Sequence, residues 1–202
     1  NWKGIVVAGA NADKNQVLVG KSVDSIAIDL NKKPSDVVFD LLLEEGGRVP
    51  AIYHVMNEAD LRYVMQLPWV SIGSNGTAVQ INGIWRGGRP HPSWYGTFPR
   101  VLGKYVREEE VLSVEEAVQK MTWMNAAKAG LKNRGLLKIG KKADITIFSA
   151  ERVRDRATFE NPHQYAEGIE YVIVNGVLVI EGECHLGTTP GQILFGPGKR
   201  VK

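Results

Sequence analysis

The sequence predicts an α/β body followed by a small β domain. Strand-like runs alternate with amphipathic helical segments in the first part of the chain, and two β-branched runs meet at Asn175-Gly176 near its end. The chain has 202 residues, of which 44% are hydrophobic and 23% charged. This composition is typical of an ordinary globular protein and argues against disorder.

The α/β body is predicted from hydrophobic periodicity. Strands are predicted for residues 4–8, 49–56 and 69–73. Amphipathic helices are predicted for residues 23–30, 35–46 and 57–67. Ser35 and Asn57 are suitable N-caps, and Gly46 is a suitable helix end. The order strand, helix, strand over residues 49–73 predicts a βα unit with parallel strands.

A long loop and a helix complete the body. Residues 76–100 are rich in glycine and without periodicity, and their four aromatic residues argue against disorder, so residues 77–100 are predicted to be a functional loop. Ser113 and Glu116 form a capping box that predicts a helix over residues 113–122.

The character of the sequence changes near Gly135. Residues 135–148 and 171–180 are typical of strands, and Asn175-Gly176 predicts a type I′ hairpin. We therefore predict one domain over residues 1–134 and a β tail domain over residues 135–202. A closed parallel barrel needs eight strands and the first domain supplies about three, so it cannot close a barrel alone.

Composition excludes several classes of function. The net charge is +3 and the basic residues are scattered, which argues against nucleic-acid binding. No glycine-rich phosphate motif is present, and no apolar run approaches the length of a membrane span. The single cysteine, Cys184, excludes an intrachain disulfide and predicts a reducing, cytoplasmic location. Because the first residue is Asn1, we expect the sequence to begin within a longer protein.

Several motifs together resemble one family. They are S74-N-G76 after a predicted strand, H91-P-S-W-Y-G-T-F-P-R-V-L-G103, the predicted helix V114-E-E-A-V-Q-K-M121, R134-G-L-L-K-I-G-K-K-A-D-I-T-I-F148 and V172-I-V-N-G176. The last two are shared across the amidohydrolase superfamily, including dihydroorotase-like and hydantoinase-like enzymes. The loop Y95-G-T-F-P-R-V-L-G103 is closer to the N-acyl-D-amino-acid deacylases, or D-aminoacylases, and the chain resembles the C-terminal part of such an enzyme.

The resemblance implies a fold, a cofactor and a reaction. It implies a (β/α)8 barrel of TIM type with a β-sandwich, zinc at the C-terminal mouth of the barrel, and hydrolysis of N-acyl-D-amino acids. The family's metal ligands lie upstream of the region that this chain resembles. The four histidines here have no metal-ligand spacing, so the zinc ligands are expected from an N-terminal segment, on the same polypeptide or on a separate chain.

The resemblance places Asn75 at the position of a catalytic aspartate in the family's S-D-G motif. That aspartate moves a proton between the attacking water and the leaving amine, whereas a carboxamide cannot accept a proton. Acid–base groups contribute roughly 10² to 10⁴ in rate, about 3 to 5 kcal/mol, so we expect severely reduced activity. Three alternative explanations of Asn75 stay open. It is an engineered replacement, a natural departure from the family, or a deamidation-prone site misassigned from Asp. Without the resemblance, Ser74-Asn75-Gly76 predicts only a turn.

The remaining candidates are predicted to bind substrate. They are Ser74, Arg86, Arg89, His91 and Tyr95. The family loop usually has an arginine where this chain has Ser93, so Arg86 or Arg89 could hold the substrate carboxylate instead, unless both are solvated loop charges. His91 could donate a hydrogen bond to substrate, and Trp94 and Tyr95 could wall a pocket or pin the loop. Among the other histidines, His54 is predicted in the core and His163 and His185 on the surface.

Two functional alternatives stay open. One is a non-catalytic or degenerate amidohydrolase subunit that binds a partner chain through an open barrel edge. The other is a cyclic-amide hydrolase of the dihydroorotase or hydantoinase kind.

Overall fold

The computed structural model describes residues 1–82 and 89–195, which mix helices and strands as predicted. The helices are α1 (Val23–Asp29), α2 (Pro34–Glu44), α3 (Glu58–Gln66), α4 (Ser93–Arg100), a π-helix (Val101–Glu108), α5 (Val114–Met121) and α6 (Trp123–Lys128), with short 3-10 helices at Trp2–Gly4 and Asp13–Leu18. The strands are β1 (Ile5–Val7), β2 (Ala51–Tyr53), β3 (Ile145–Phe148), β4 (Ile169–Val174), β5 (Val177–Glu181) and β6 (Cys184–His185). No helix in these two ranges is long and apolar enough to cross a membrane.

The chain divides into two compact units. The first unit comprises Asn1–Asn57, Gly76–Tyr95 and Ala157–Gln164, and the second comprises Glu58–Asn75, Gly96–Arg156 and Tyr165–Lys202. The domain division over residues 1–134 and 135–202 stays a prediction.

The first unit packs α1 and α2 against a two-stranded sheet. The Ser22 hydroxyl caps α1 by accepting a hydrogen bond from the Ser25 N–H at 3.1 Å. Apolar side chains on the inner faces of both helices and of β1 form the core: Val7, Val23, Ile26, Ala27, Val37 and Leu41. Ile26 is fully buried, and a buried side chain of this size stabilises the fold by about 1.5 to 3 kcal/mol.

The predicted parallel βα unit is wrong. β2 pairs antiparallel with β1, with Val6 opposite Ile52. Residues 69–73 form no strand, because side chains of α5 and α6, rather than the backbone of a neighbouring strand, bind the carbonyl groups of this extended segment. An apolar run alone does not distinguish these two environments.

The boundaries of α2 correct one predicted cap and confirm one predicted end. The helix begins at Pro34 with Lys33 at the N-cap, so the Ser35 cap is wrong. Proline suits the first helical position because its fixed φ is helical and its missing N–H has no partner there. The helix ends as predicted, since Gly46 adopts a φ of 62° that favours glycine.

The predicted loop over residues 77–100 contains a helix that the sequence does not reveal. Helix α4 occupies Ser93–Arg100 and runs directly into the π-helix. Pro99 lies inside α4 and has no N–H to donate, and the wider π-helical turn begins two residues later. A wide-turn hydrogen bond from the Glu109 N–H to the Lys104 carbonyl, 2.9 Å long, closes the π-helix. Glycine and proline hide this helix from an analysis of periodicity.

The second unit contains an antiparallel sheet in the order β3-β4-β5-β6. Asn175 and Gly176 have φ values of 52° and 82°, which confirms the predicted hairpin turn. The strand predicted for residues 135–148 is confirmed only from Ile145, because Gly135 and Gly140 adopt positive φ values of 81° and 84° that bend the chain. Helices and sheet share one core: Met65, Val101, Leu102, Tyr105, Leu112, Ala117 and Val153. The capping box of α5 is present as predicted.

Candidate functional site

A buried lysine fixes the segment that leads to the predicted catalytic position. Lys120 on α5 is only 4% exposed, and its ammonium group donates to the carbonyl oxygens of Leu67 at 2.6 Å and Val70 at 3.0 Å. The Lys120 carbonyl in turn accepts the N–H of Ile72 at 3.0 Å. Charge-assisted hydrogen bonds from a buried group hold residues 67–72 firmly against α5.

Helix α6 holds the same segment from the next turn of chain. The Asn125 side chain donates to the Ile72 carbonyl at 2.6 Å. The ammonium of Lys128, which is exposed, donates to the Trp69 carbonyl at 2.9 Å and to the Ser71 hydroxyl at 3.0 Å. The backbone just before the predicted catalytic position is therefore anchored through side chains of two helices.

Ser74 and Asn75 follow this anchored segment and are exposed. The hydroxyl of Thr97 on α4 donates to the Ser74 hydroxyl at 3.3 Å, which fixes the residue before Asn75. Residues 70–80 have no regular secondary structure, and neither Asn75 nor Gly76 has a positive φ. The sharp turn predicted for Ser74-Asn75-Gly76 is therefore wrong, because the backbone forms neither a turn nor a bend at these residues.

The Asn75 carboxamide is the functional group at the position of the predicted catalytic residue. No hydrogen bond joins it to another residue in the ranges 1–82 and 89–195. A carboxamide offers two N–H donors and an oxygen acceptor but no proton-accepting carboxylate. At this position the chain can orient a polar ligand, and it cannot act as a general base.

Arg89 lies in the first unit beside the end of β1. Its backbone N–H donates to the Ala8 carbonyl at 2.8 Å, and its guanidinium lies over Gly20, where a Cβ would fall 2.6 Å from a guanidinium nitrogen. Gly20 has a φ of 88°, so the backbone favours glycine there, and the missing side chain leaves room for the guanidinium. Among the described residues no carboxylate pairs with Arg89, which leaves its planar fork of donors for an anion.

His91 is held by Ser93 and by aromatic packing. Its Nδ1 accepts the Ser93 N–H at 3.1 Å and lies 2.9 Å from the Ser93 hydroxyl oxygen. Because Nδ1 is an acceptor, the neutral ring carries its proton on Nε2. The ring of Phe159 stands between His91 and His54, with centroid distances of 5.2 Å and 4.7 Å. Burial, and to a lesser extent the charge of His54, lowers the pKa of His91 below its ordinary value.

Tyr95 is paired with the histidine expected on the surface. Its hydroxyl lies 2.9 Å from Nδ1 of His163, and the two rings meet edge to face with centroids 5.8 Å apart. His163 and Phe159 both belong to residues 157–164, which reach the predicted substrate residues from a distant part of the sequence. His163 is therefore a partner of the predicted site rather than an isolated surface group.

The predicted site residues thus fall into two groups. Arg89, His91 and Tyr95 lie in the first unit, and Ser74 and Asn75 lie in the second. Arg86 lies outside the described residues.

Sequence reasoning missed the residues that hold these groups in place. Lys120 and Asn125 look like ordinary helix-surface residues, and Phe159 and His163 each lie 68 positions away from the loop residue that they contact, His91 and Tyr95. For Lys120 the helical spacing offered a signal of burial, since Lys120 lies three residues after Ala117 and shares the buried face of α5 with it.

The described residues do not fit a metal site. No group of three or more His, Cys, Asp or Glu side chains in the ranges 1–82 and 89–195 is placed to hold a metal ion. Zinc needs about four ligands, of which a catalytic site takes three from protein. The prediction that the zinc ligands come from an N-terminal segment stays a prediction.

Comparison with known proteins identifies the class of protein. The model of the amidohydrolase family matches residues 88–180. A D-aminoacylase of Alcaligenes xylosoxydans xylosoxydans is 39% identical over 177 residues, which are 88% of this chain and 34% of that protein. A crystal structure of D-aminoacylase superposes with a TM-score of 0.78 at 36% identity, covering 91% of this chain and 36% of that one.

A second solved relative is described with ligands. It is the N-acyl-D-glutamate deacylase of Bordetella bronchiseptica, complexed with zinc and a phosphonate inhibitor that mimics the tetrahedral intermediate. It superposes with a TM-score of 0.76 at 31% identity, covering 89% of this chain and 35% of that one. This chain spans about a third of the length of the relatives that it matches. Family profile, sequence and fold agree, and the chain belongs to the amidohydrolase superfamily as a homologue of the D-aminoacylases.

Proposed function

We propose that the complete protein hydrolyses the amide bond of N-acyl-D-amino acids and that residues 1–202 form part of its substrate site. The observation that carries the proposal is the homology to D-aminoacylase over 88% of this chain. On this proposal the residues form the C-terminal part of a (β/α)8 barrel and part of a β-sandwich. The sheet β3-β4-β5-β6 contributes one layer of that sandwich.

The metal is proposed to be zinc, because a homologous deacylase is described in complex with zinc. The described residues offer no set of ligands, so the ligands are assigned to an N-terminal segment or chain outside residues 1–202. When bound, such an ion supplies an activated water for hydrolysis.

Five residues are proposed to act on the substrate. The Arg89 guanidinium, which has no carboxylate partner among the described residues, binds the substrate carboxylate as a fork of two donors. The Nε2–H of His91 donates to a substrate oxygen. The Tyr95 hydroxyl does so in the tautomer in which Nδ1–H of His163 donates to it, and Ser74 lines the approach to Asn75. Asn75 orients the reacting amide without exchanging a proton with it.

The test is hydrolysis by the complete polypeptide loaded with zinc. N-acetyl-D-amino acids should be cleaved and their L-enantiomers should not. Replacing Asn75→Asp should raise kcat about tenfold or more, because it restores a proton acceptor. Asn133→Asp is the matched control, since Asn133 is also exposed and the change adds the same charge elsewhere.

The outcomes distinguish the proposal from its rivals. If neither the starting protein nor Asn75→Asp hydrolyses these substrates, the protein is a degenerate or partner-binding amidohydrolase. If the protein cleaves dihydroorotate or a hydantoin in preference to a linear amide, the cyclic-amide alternative replaces the proposal.

A further inference from the structure

The chain contains three Asn-Gly pairs in different surroundings. They are Asn75-Gly76, Asn82-Gly83 and Asn175-Gly176. Residue 83 lies outside the described ranges, so the first and third pairs can be compared directly. Asn-Gly is chemically special because glycine has no Cβ to keep the asparagine side chain away from the next backbone nitrogen.

Asn175 is locked by its hydrogen bonds. Its Oδ1 accepts from the Arg134 guanidinium at 2.5 Å, and its Nδ2 donates to the Pro190 carbonyl at 2.7 Å. Its backbone N–H donates to the Asp144 carboxylate at 2.8 Å. Both residues of this pair also keep the positive φ values of a tight hairpin turn. The carboxamide cannot rotate without breaking two hydrogen bonds.

Asn75 has none of these constraints. Its side chain is exposed, and its carboxamide is bonded to no other residue in the described part of the chain. The backbone from residue 70 to residue 80 belongs to no helix or strand. The preceding segment is fixed through Lys120 and Asn125 and through the Thr97 contact to Ser74, and none of these bonds involves the Asn75 carboxamide. The carboxamide is free to turn toward the next backbone nitrogen.

We propose that Asn75 is a site of spontaneous deamidation. The backbone nitrogen of Gly76 attacks Cγ of Asn75, the amide nitrogen leaves as ammonia, and a five-membered succinimide forms. Water then opens the ring at one of its two carbonyl groups, which gives aspartate with the normal backbone or isoaspartate with the chain running through the side chain. The net change consumes one water, releases one ammonia and requires no oxidant or enzyme.

The modification has a consequence for activity that rests on the proposed function. The aspartate product carries a carboxylate at the position proposed for the acid–base group, and the isoaspartate product displaces that carboxylate along the backbone. Ageing of the protein therefore converts a weakly active form into a mixture that includes an active one.

The experiment follows deamidation and activity in the same samples. The complete zinc-loaded protein is incubated at mildly alkaline pH, and aliquots are digested and mapped by mass spectrometry to separate asparagine, aspartate and isoaspartate at each pair. We expect position 75 to convert about tenfold faster or more than position 175, where two hydrogen bonds must break first. Hydrolysis of an N-acetyl-D-amino acid should rise in step with the aspartate form.

Two variants make the result decisive. Gly76→Ala hinders ring closure and should abolish both the conversion and the gain in activity, and alanine is compatible with the backbone because the φ of Gly76 is not positive. Asn75→Asp should start at high activity and gain nothing with time.

Equal conversion at positions 75 and 175 would overturn the deamidation site. A gain in activity that persists in Gly76→Ala would overturn the link to activity. An inactive Asn75→Asp protein would instead contradict the proposed function, whatever the rate of deamidation.

Discussion

Replacing Lys120→Met should destabilise the protein through the segment that leads to Asn75. The ammonium of this buried residue makes two hydrogen bonds to carbonyl oxygens, at 2.6 Å and 3.0 Å. Hydrogen bonds to charged groups contribute roughly 1.5 to 3 kcal/mol each, so about 3 to 6 kcal/mol of interaction is lost. Removing a buried charge returns part of this energy, and methionine keeps most of the packing. We expect a net loss of about 2 kcal/mol or more in the free energy of unfolding.

Lys128→Met is the matched control for this change. Lys128 also makes two hydrogen bonds to the same segment, at 2.9 Å and 3.0 Å, but its side chain is exposed. Water replaces the lost donors there, so we expect a loss below about 1 kcal/mol. The two substitutions remove the same chemical group and differ in burial.

The assay is urea unfolding of the complete protein, with the midpoint and the slope fitted for each variant. An unchanged slope shows that the difference is one of stability rather than of compactness. Equal losses for the two lysines would refute the reasoning, because burial would then have no influence on the cost. A stable Lys120→Met protein would show that water enters and replaces the ammonium.

Further predictions concern backbone, pH and substrate affinity. Gly168→Ala should destabilise the protein more than Gly182→Ala. Both glycines have a positive φ, but only at Gly168 would a Cβ fall 2.5 Å from a backbone nitrogen. Thermal unfolding of the two variants tests this difference. Hydrogen bonds from Asn15 and from two backbone N–H groups lower the pKa of Glu45 in the folded protein, so the stability that it contributes is complete above the unfolded pKa and is lost as pH falls through the folded pKa. Glu45→Gln should therefore make the free energy of unfolding depend less on pH in that acidic range. A difference between the two proteins that is the same at every pH would contradict this. Arg89→Met should lower kcat/KM roughly 10- to 100-fold, with Arg89→Lys intermediate, and an unchanged KM would exclude a role in binding the substrate carboxylate.

The sequence predicted best those structural features that depend on a few neighbouring residues. The Ser113–Glu116 capping box and the Asn175-Gly176 turn are each completed within a few residues of chain, so their physical cause is visible in the sequence. The end of α2 at Gly46 is of the same kind.

Features that depend on distant partners could not be predicted. Whether residues 69–73 form a strand depends on what lies beside them, and side chains such as Lys120 lie there instead of a strand. The bond between Tyr95 and His163 joins residues 68 positions apart. Helix α4 was missed for another reason, since glycine and proline within it lower its helical propensity and tertiary packing overrides that preference.

The division of the chain into two units also limits how the protein can be dissected genetically. The chain passes from one unit to the other after Asn57, Asn75, Tyr95, Arg156 and Gln164. No contiguous fragment contains one whole unit alone. A single deletion that removes all of one unit also removes residues of the other. Truncation libraries would therefore yield misfolded products rather than separate activities. The contributions of the two units have to be mapped by point substitutions.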